Sequence, residues 1–323
     1  MKRLHPLIPI VALVVIFGLL MRLIFGLSFV SNLFQVMSLS FILLVPVAMG
    51  ALTIALSHRD RVRSLRYRIF APWLSILALF VLTVAIAIEG WACWLMVLPF
   101  FLTAASLGGL VAGYFKLKRR KNERTYISLL TLLPLVLSPM ERWIGSIPGR
   151  YEAYTYIDIH GPKQAIWENV TRVKAIPREQ DKGWFTRMLG FPRPVQAELN
   201  YNGVGAHREA FFTKGLVFHE QVFHYEDQKR MDFTIKAYPY EIPSTTMDKH
   251  IVIGGDYFDV LNGTYILQPI DSGTYRLHLY SHFKLTTTFN FYASLWAAWI
   301  MKDIQNNILQ VIKQRTETAI PQS

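Results

Sequence analysis

Four apolar runs of bilayer length crowd into the first 115 of the 323 residues. Nothing else in the sequence constrains the fold as strongly. A hydrocarbon core about 30 Å thick takes roughly 20 helical residues to cross. The runs are 7–27, 33–56, 69–88 and 91–115. A fifth, 126–147, is weaker. It is apolar only to Met140, contains Pro134 and Pro139, and then meets Glu141 and Arg142. It spans if those two side chains reach the headgroups, since prolines are tolerated in such helices. The alternative is a re-entrant or surface segment. The first run follows Lys2, Arg3 and His5. It is longer than the roughly 7–15-residue core of a signal peptide and lacks a small-x-small cleavage site, so it reads as a retained span. The expectation for residues 1–147 is therefore an α-helical transmembrane bundle of about five helices.

Charge divides where hydropathy does. Up to Arg150 there are 16 Lys and Arg against 4 Asp and Glu, and beyond it 18 against 18, within totals of 34 and 22. The excess sits in two short loops, Ser57–Arg68 and Lys116–Arg124, whereas Ser28–Asn32 and Glu89–Gly90 carry no Lys or Arg. Positive loops stay in the cytoplasm. That puts the N-terminus inside and, after a fifth span, the C-terminal half outside. A nucleic-acid partner is not expected, because such a domain carries its own basic face and the second half is neutral. The single cysteine, Cys93, allows no disulfide framework and no cysteine metal site.

Four charges fall at the ends of, or inside, the apolar runs: Arg22, Glu89, Glu141 and Arg142. Intramembrane charges are paired or functional, so a cluster of Arg22 with Glu89 or Glu141 is one reading. Separate snorkelling to the interface is the other. Gly109-x-x-x-Gly113 permits close helix approach inside the bundle. Acidic groups at mid-membrane, which a pump or transporter needs, are lacking.

From about Arg150 the pattern becomes β-rich with helices near each end. Tyr151–His160 reads as a strand broken by Gly161-Pro162. Pro162 suits the first turn of a helix to about Val173. A short helix at 181–189 is followed by three hairpins. The first is 194–201 with 204–213 around Asn202-Gly203, a tight-turn signal. The second is 215–225 with 230–237, and the third 257–269 with 274–285 around Asp271-Ser272-Gly273. A final helix, about 291–316, carries Ala297, Ile300, Met301, Ile304, Ile308, Val311 and Ile312 at helical spacing. One amphipathic helix on one curved antiparallel sheet makes a two-layer domain and commonly leaves an apolar cavity between its layers.

Three stretches carry a family resemblance. They are Ile157-Asp158-Ile159-His160-Gly161-Pro162 with Trp167, then Gly263-Thr264-Tyr265-Ile266-Leu267-Gln268-Pro269, then the helix through Ile304 and Ile308. Together they resemble the helix-grip superfamily of START, Bet v 1 and polyketide cyclase-like domains, over about half the chain. The order of spans followed by this domain is similar to bacterial members, which implies a bacterial plasma membrane. The resemblance implies an α+β domain at 150–317, a curved sheet wrapped around the C-terminal helix, with a short tail at 318–323. It also implies a cavity for a lipid or other apolar small molecule. It supplies no shared catalytic residue.

Candidate pocket residues are Trp167, Phe218, Phe223, Phe233, Tyr257, Tyr265, His278, Tyr280, Trp296, Trp299 and Ile300. In a helix-grip domain the core and the cavity wall overlap. Phe289, Phe291, Tyr292, Trp296 and Trp299 also suit a bilayer interface. His278 and His282, four apart on one strand, stand about 13 Å apart, too far to share a metal. Neither an activated-serine context nor a phosphate-binding signature is present, and no cofactor is implied. The leading expectation is a membrane-anchored binding module. A cyclase- or aromatase-like enzyme, working through a Tyr, His or acid in the cavity, and a non-catalytic scaffold of a membrane complex are the alternatives.

Overall fold

A computed structural model describes residues 7–27, 29, 31, 33–118, 123–145, 148–238, 240 and 252–319; the side chains of 123–127 and 142 lie outside that description. The chain divides into two units, Met1–Ile147 with Thr287–Phe289, and Pro148–Thr286 with Asn290–Ser323.

The helical unit comprises α1 (Leu7–Gly26), a π-helical turn (Ser40–Leu44) leading into α2 (Val45–Leu56), a short α3 (Arg59–Val62), α4 (Leu65–Ala85), α5 (Trp91–Leu117) and α6 (Glu123–Ile144). α1, α4 and α5 are long and apolar enough to cross a membrane, whereas Ser40–Leu56 and Ser128–Glu141 are shorter apolar helices. The second run thus departs from expectation, because its helix begins near Ser40 rather than Leu33. The cause is capping, which hydropathy alone does not register. The Phe41 amide donates to Ser38 Oγ at 3.2 Å. The Glu141 carboxylate accepts from the amides of Leu39 (2.7 Å) and Ser40 (2.8 Å). An anion at a helix start satisfies donors that no helical carbonyl can reach.

Glu141 therefore serves a helix terminus, and Arg22 pairs with Glu89 instead. Both members of that pair are nearly buried, which separate snorkelling does not describe. The side chain of Arg142 lies outside the described residues. α2 and α5 cross closely. A Cβ on Gly50 would run into the Ala105 carbonyl, and one on Gly108 into that of Val47. Gly109 and Gly113 face Arg68 and Pro72 of α4, so small residues bring two neighbours against α5. α1 turns Leu13, Ile16, Leu20 and Leu23 outward, a stripe that water would not favour.

Among the described residues the second unit has one seven-stranded antiparallel sheet and three α-helices. The elements are β1 (Gly149–His160), α7 (Lys163–Thr171), α8 (Trp184–Leu189), β2 (Pro194–Leu199), β3 (His207–Phe212), β4 (Val217–Glu226), β5 (Arg230–Lys236), β6 (Phe258–Asp271), β7 (Thr274–Leu285) and α9 (Asn290–Thr318). Strand order is β1-β7-β6-β5-β4-β3-β2, so each hairpin pairs with the next and the first strand closes on the last. Bulges shift register in β2, in β4 between Val222 and His224, and in β6 between Val260 and Asn262. Bulges raise local twist and curl the sheet around α9. The antiparallel sheet with a long C-terminal helix, predicted from the sequence, is present. The hairpin at Asn202-Gly203 is wider than a two-residue turn, with β2 ending at Leu199 and β3 starting at His207. Asn200 Oδ1 accepts from the amides of Tyr201 and His207, so its side chain holds a longer loop.

Alternation sets the inner face. Met231, Phe233, Tyr265, Leu267, Leu277, Leu279 and Phe283 are buried at odd positions of β5–β7. On β3 and β4 the inward positions are even: Ala210, Phe212 and Val222. The core is two adjoining clusters. One is centred on Ala210, Phe212, Val260 and Met301, the other on Ile166, Trp167, Met231 and Leu309.

Candidate ligand-binding site

A cavity lies between the inner face and α9. Ala210, Phe212, Phe233, Leu279, Ile304 and Ile308 supply much of its apolar wall. Arg208, Glu220, Tyr265, Ser281 and Gln305 supply polar groups. Its volume is about 70 Å³, room for a few waters or a very small molecule. Sites for drug-sized ligands run to roughly 300–1,000 Å³, so a sterol or acyl chain does not fit without movement of the wall.

The polar groups are placed by strand alternation. Arg208 and Glu220 occupy inward positions on β3 and β4 and are register partners. Arg208 Nη1 donates to Glu220 Oε2 at 2.6 Å, with side chains only 4% and 5% exposed. The guanidinium also donates to the carbonyls of Thr171 and Val170, both at 3.4 Å, and lies 5.7 Å from the Phe233 ring centroid. Burial lifts the Glu220 carboxyl above the ordinary carboxylate range, against the pull of Arg208. Burial works against the Arg208 charge, but Glu220 and Tyr265 outweigh it, and the guanidinium is held above its usual value. The Tyr265 hydroxyl is pushed up to about 12 by burial, with Glu220 adding to the rise and Arg208 opposing it. At neutral pH the Tyr265 hydroxyl is therefore protonated, able to donate and to accept a hydrogen bond.

Gln305 is the polar side chain that α9 contributes to the cavity lining. Its Nε2 donates to the Ala153 carbonyl (3.0 Å) and to Ser281 Oγ (2.9 Å), and its Oε1 accepts from Thr155 Oγ1 (3.1 Å). It ties α9 to β1 and β7 at the cavity wall.

Of the aromatics singled out from the sequence, Phe218, Phe233 and Tyr265 line the cavity. The others stand elsewhere, those on strands for reasons of parity. Phe223 is 54% exposed, one residue out of phase with Glu220 and Val222. His278 and Tyr280 are even residues on β7 and face outward. There Tyr280 stacks on Tyr154 at 4.5 Å between centroids, and Tyr154 Oη meets His278 Nδ1 at 2.9 Å. Burial, then the nearby Arg276 charge, lowers the His278 pKa. Trp167 is buried in the second core cluster and donates to Tyr225 Oη at 3.0 Å. Tyr257 is partly buried just before β6, where its carbonyl accepts from Thr286. Trp296, Trp299 and Ile300 do not line the cavity, which takes Met301, Ile304, Gln305 and Ile308 from α9. Among the described residues no three His, Cys, Asp or Glu side chains stand close enough to hold a metal. Arg208, Glu220 and Gln305 did not emerge from sequence reasoning. Their signal was a charge or amide at a position whose i±2 or i±4 neighbours are apolar.

A scan against known family models and a search of curated proteins both return no match. Solved structures do resemble the chain. A Thermus thermophilus protein aligns with 52% of this chain and 99% of its own, at 14% identity and a TM-score of 0.33. A START superfamily protein from Mycobacterium smegmatis aligns with 53% of this chain and 100% of its own, at 8% identity and 0.34. A truncated norcoclaurine synthase from Thalictrum flavum aligns with 51% and 94%, at 10% identity and 0.30. Likenesses at these identities concern the fold and leave ligand and chemistry open.

Proposed function

We propose that the chain is a membrane-anchored binding protein for an apolar small molecule with a polar end, held between sheet and α9. Arg208, Glu220 and Tyr265 meet the polar end, and Phe212, Phe233 and Leu279 contact the apolar body. The observation that carries this reading is a buried ion pair set in the wall of an apolar cavity. A core that only had to be filled gains nothing from such a pair. Replacing buried ion pairs by apolar residues of like volume is often neutral or stabilising by about 1–4 kcal/mol. A pair kept beside empty space is instead suited to recognising a polar group that enters that space. Residues 1–147 would supply the anchor and 150–317 the binding domain, with 318–323 a tail. The two basic loops support a cytoplasmic N-terminus and an extracytoplasmic domain.

The small volume adds a requirement. A lipid-sized occupant needs the wall to open, and the segment between α7 and β2, which contributes Val173 and Ile176 to the lining, holds only the short α8 as a described helix. The test is native mass spectrometry of the intact chain with extraction of bound molecules, comparing wild type with Ala210→Trp. The expected result is a co-purifying apolar species near one per chain that the tryptophan displaces, while annular lipids remain in both. Identical contents in the two proteins would refute cavity binding.

One observation favours an enzyme as a second reading: an acid of raised pKa facing the cavity is what proton transfer requires. The arrangement supports it less well. Glu220 is held by Arg208, and a tyrosine near 12 lies far from a working pH.

A further inference from the structure

Beyond the cavity, the outward face of α9 changes character halfway along. At successive helical spacings its exposed positions read Phe291, Leu295, Trp299, then Lys302, Asn306, Gln310. The second half is what water favours. The first half is apolar, and it does not stand alone. On α8, Trp184 and Met188 are exposed one turn apart, and these five side chains are between 44% and 67% exposed. The two helices are locked together beneath them. Phe185 stacks on Trp296 at 6.1 Å and meets Trp299 edge-on at 6.5 Å, and Asp303 Oδ2 accepts from the Thr186 amide at 2.9 Å. The patch is therefore a preformed surface, on the side of α9 opposite Met301, Ile304 and Ile308.

We propose that this α8–α9 surface docks on the headgroup region of an anionic bilayer. Three observations favour a lipid surface over a protein. Two of the five residues are tryptophans, with Trp296 beneath them, and indoles favour the interface between hydrocarbon and water. Exposed Lys182 and Lys302 flank the apolar residues in sequence, the arrangement that binds anionic lipid by apolar burial and charge together. The chain also carries its own apolar spans, and only residues 145–148 separate α6 from β1, so the domain meets a bilayer at high effective concentration. The inference rests on the membrane anchoring proposed above. It leaves the identity of the cavity ligand aside.

The test is site-directed spin labelling of the full chain in vesicles of phosphatidylcholine with a quarter phosphatidylglycerol. On a Cys93→Ala background, single cysteines replace Trp184, Leu295, Gln310 and Leu13. Accessibility to oxygen and to a water-soluble nickel chelate is compared. Labels at 184 and 295 should favour oxygen, the label at 310 should favour the chelate, and removing phosphatidylglycerol should shift 184 and 295 toward water. A lipid-exposed label at 13 with aqueous labels at 184 and 295 would overturn docking while leaving the anchor intact. An aqueous label at 13 would overturn the anchor itself. Concentration-dependent dipolar broadening at 295 would assign the surface to a second copy of the chain and equally overturn the proposal.

Discussion

Breaking the Arg208–Glu220 pair from one side should cost far more than removing it altogether. At an effective dielectric of about 20, unit charges about 4 Å apart attract by about 4 kcal/mol. The 2.6 Å contact puts this pair near that scale. Against the attraction stands the desolvation of both groups, which are almost fully buried. Glu220→Ala leaves the guanidinium with two long bonds to the carbonyls of Val170 and Thr171 and no counter-charge. Losing one partner of a buried pair costs about 3–5 kcal/mol. Arg208→Met with Glu220→Leu removes both desolvation terms and should lie between neutral and about 1–4 kcal/mol more stable. Hydrogen exchange of the β3 and β4 amides, read by mass spectrometry on the intact chain in nanodiscs, separates the cases. At about 1.4 kcal/mol per decade, the single variant should lose roughly 10²- to 10⁴-fold in protection, and the double variant should lose none. A single variant within tenfold of wild type would refute the burial argument. A double variant as damaged as the single would refute the claim that an unpaired charge is the cause. If the pair serves recognition, the stable double variant should still fail to retain the co-purifying ligand.

Further outcomes follow from the same geometry. Because the folded Glu220 pKa is raised above its ordinary 4.5, the folded state holds that proton more tightly than the unfolded chain. Its contribution to stability is present below pH 4.5 and is lost as pH rises through the folded value, so β3–β4 protection should fall over that interval in wild type and fall less in Glu220→Gln. Gln305→Leu strands the Ala153 carbonyl and two hydroxyls and should cost at least about 1–3 kcal/mol, seen as a lower melting temperature; an unchanged melt would deny it the role of tying α9 to the sheet. His278 should titrate below 6.5 by carbon-13 NMR of labelled histidine and move upward in Arg276→Gln, and a static or falling value would show that the Arg276 charge is not a cause. Gly50→Val forces a side chain into the Ala105 carbonyl and should lower the yield of folded chain, whereas the same change at Ala55, which is only partly buried, should not.

How much of this was legible in the sequence depends on which physical signal a residue carries. Runs of bilayer length located α1, α4 and α5 to within a few residues, because a helix of that composition has few other ways to satisfy its backbone. The strand pattern likewise placed β1 and β4–β7, since period-two alternation reports a half-buried sheet directly. What failed was phase. Phe223 follows inward Val222, and His278 and Tyr280 alternate with inward Leu277 and Leu279, so parity turns all three away from the cavity. A one-residue change reverses every side chain. Aromatic identity does not encode that choice. The start of the helix leading into α2 failed for a different reason: its cap is a carboxylate 101 residues away in sequence.

The residues that give the cavity its chemistry were visible in another way. Arg208-x-Ala210-x-Phe212 and Phe218-x-Glu220-x-Val222 each place one charge in an otherwise apolar alternating set. A strand whose inward set is fixed by its apolar members forces the odd member inward too, and two such strands joined as a hairpin bring the charges opposite one another. An Arg and a Glu in that arrangement must pair or destabilise the fold. The deviation from binary pattern was therefore a stronger pointer to the site than the aromatics were, because apolar side chains fit anywhere in the core whereas an inward charge requires a partner.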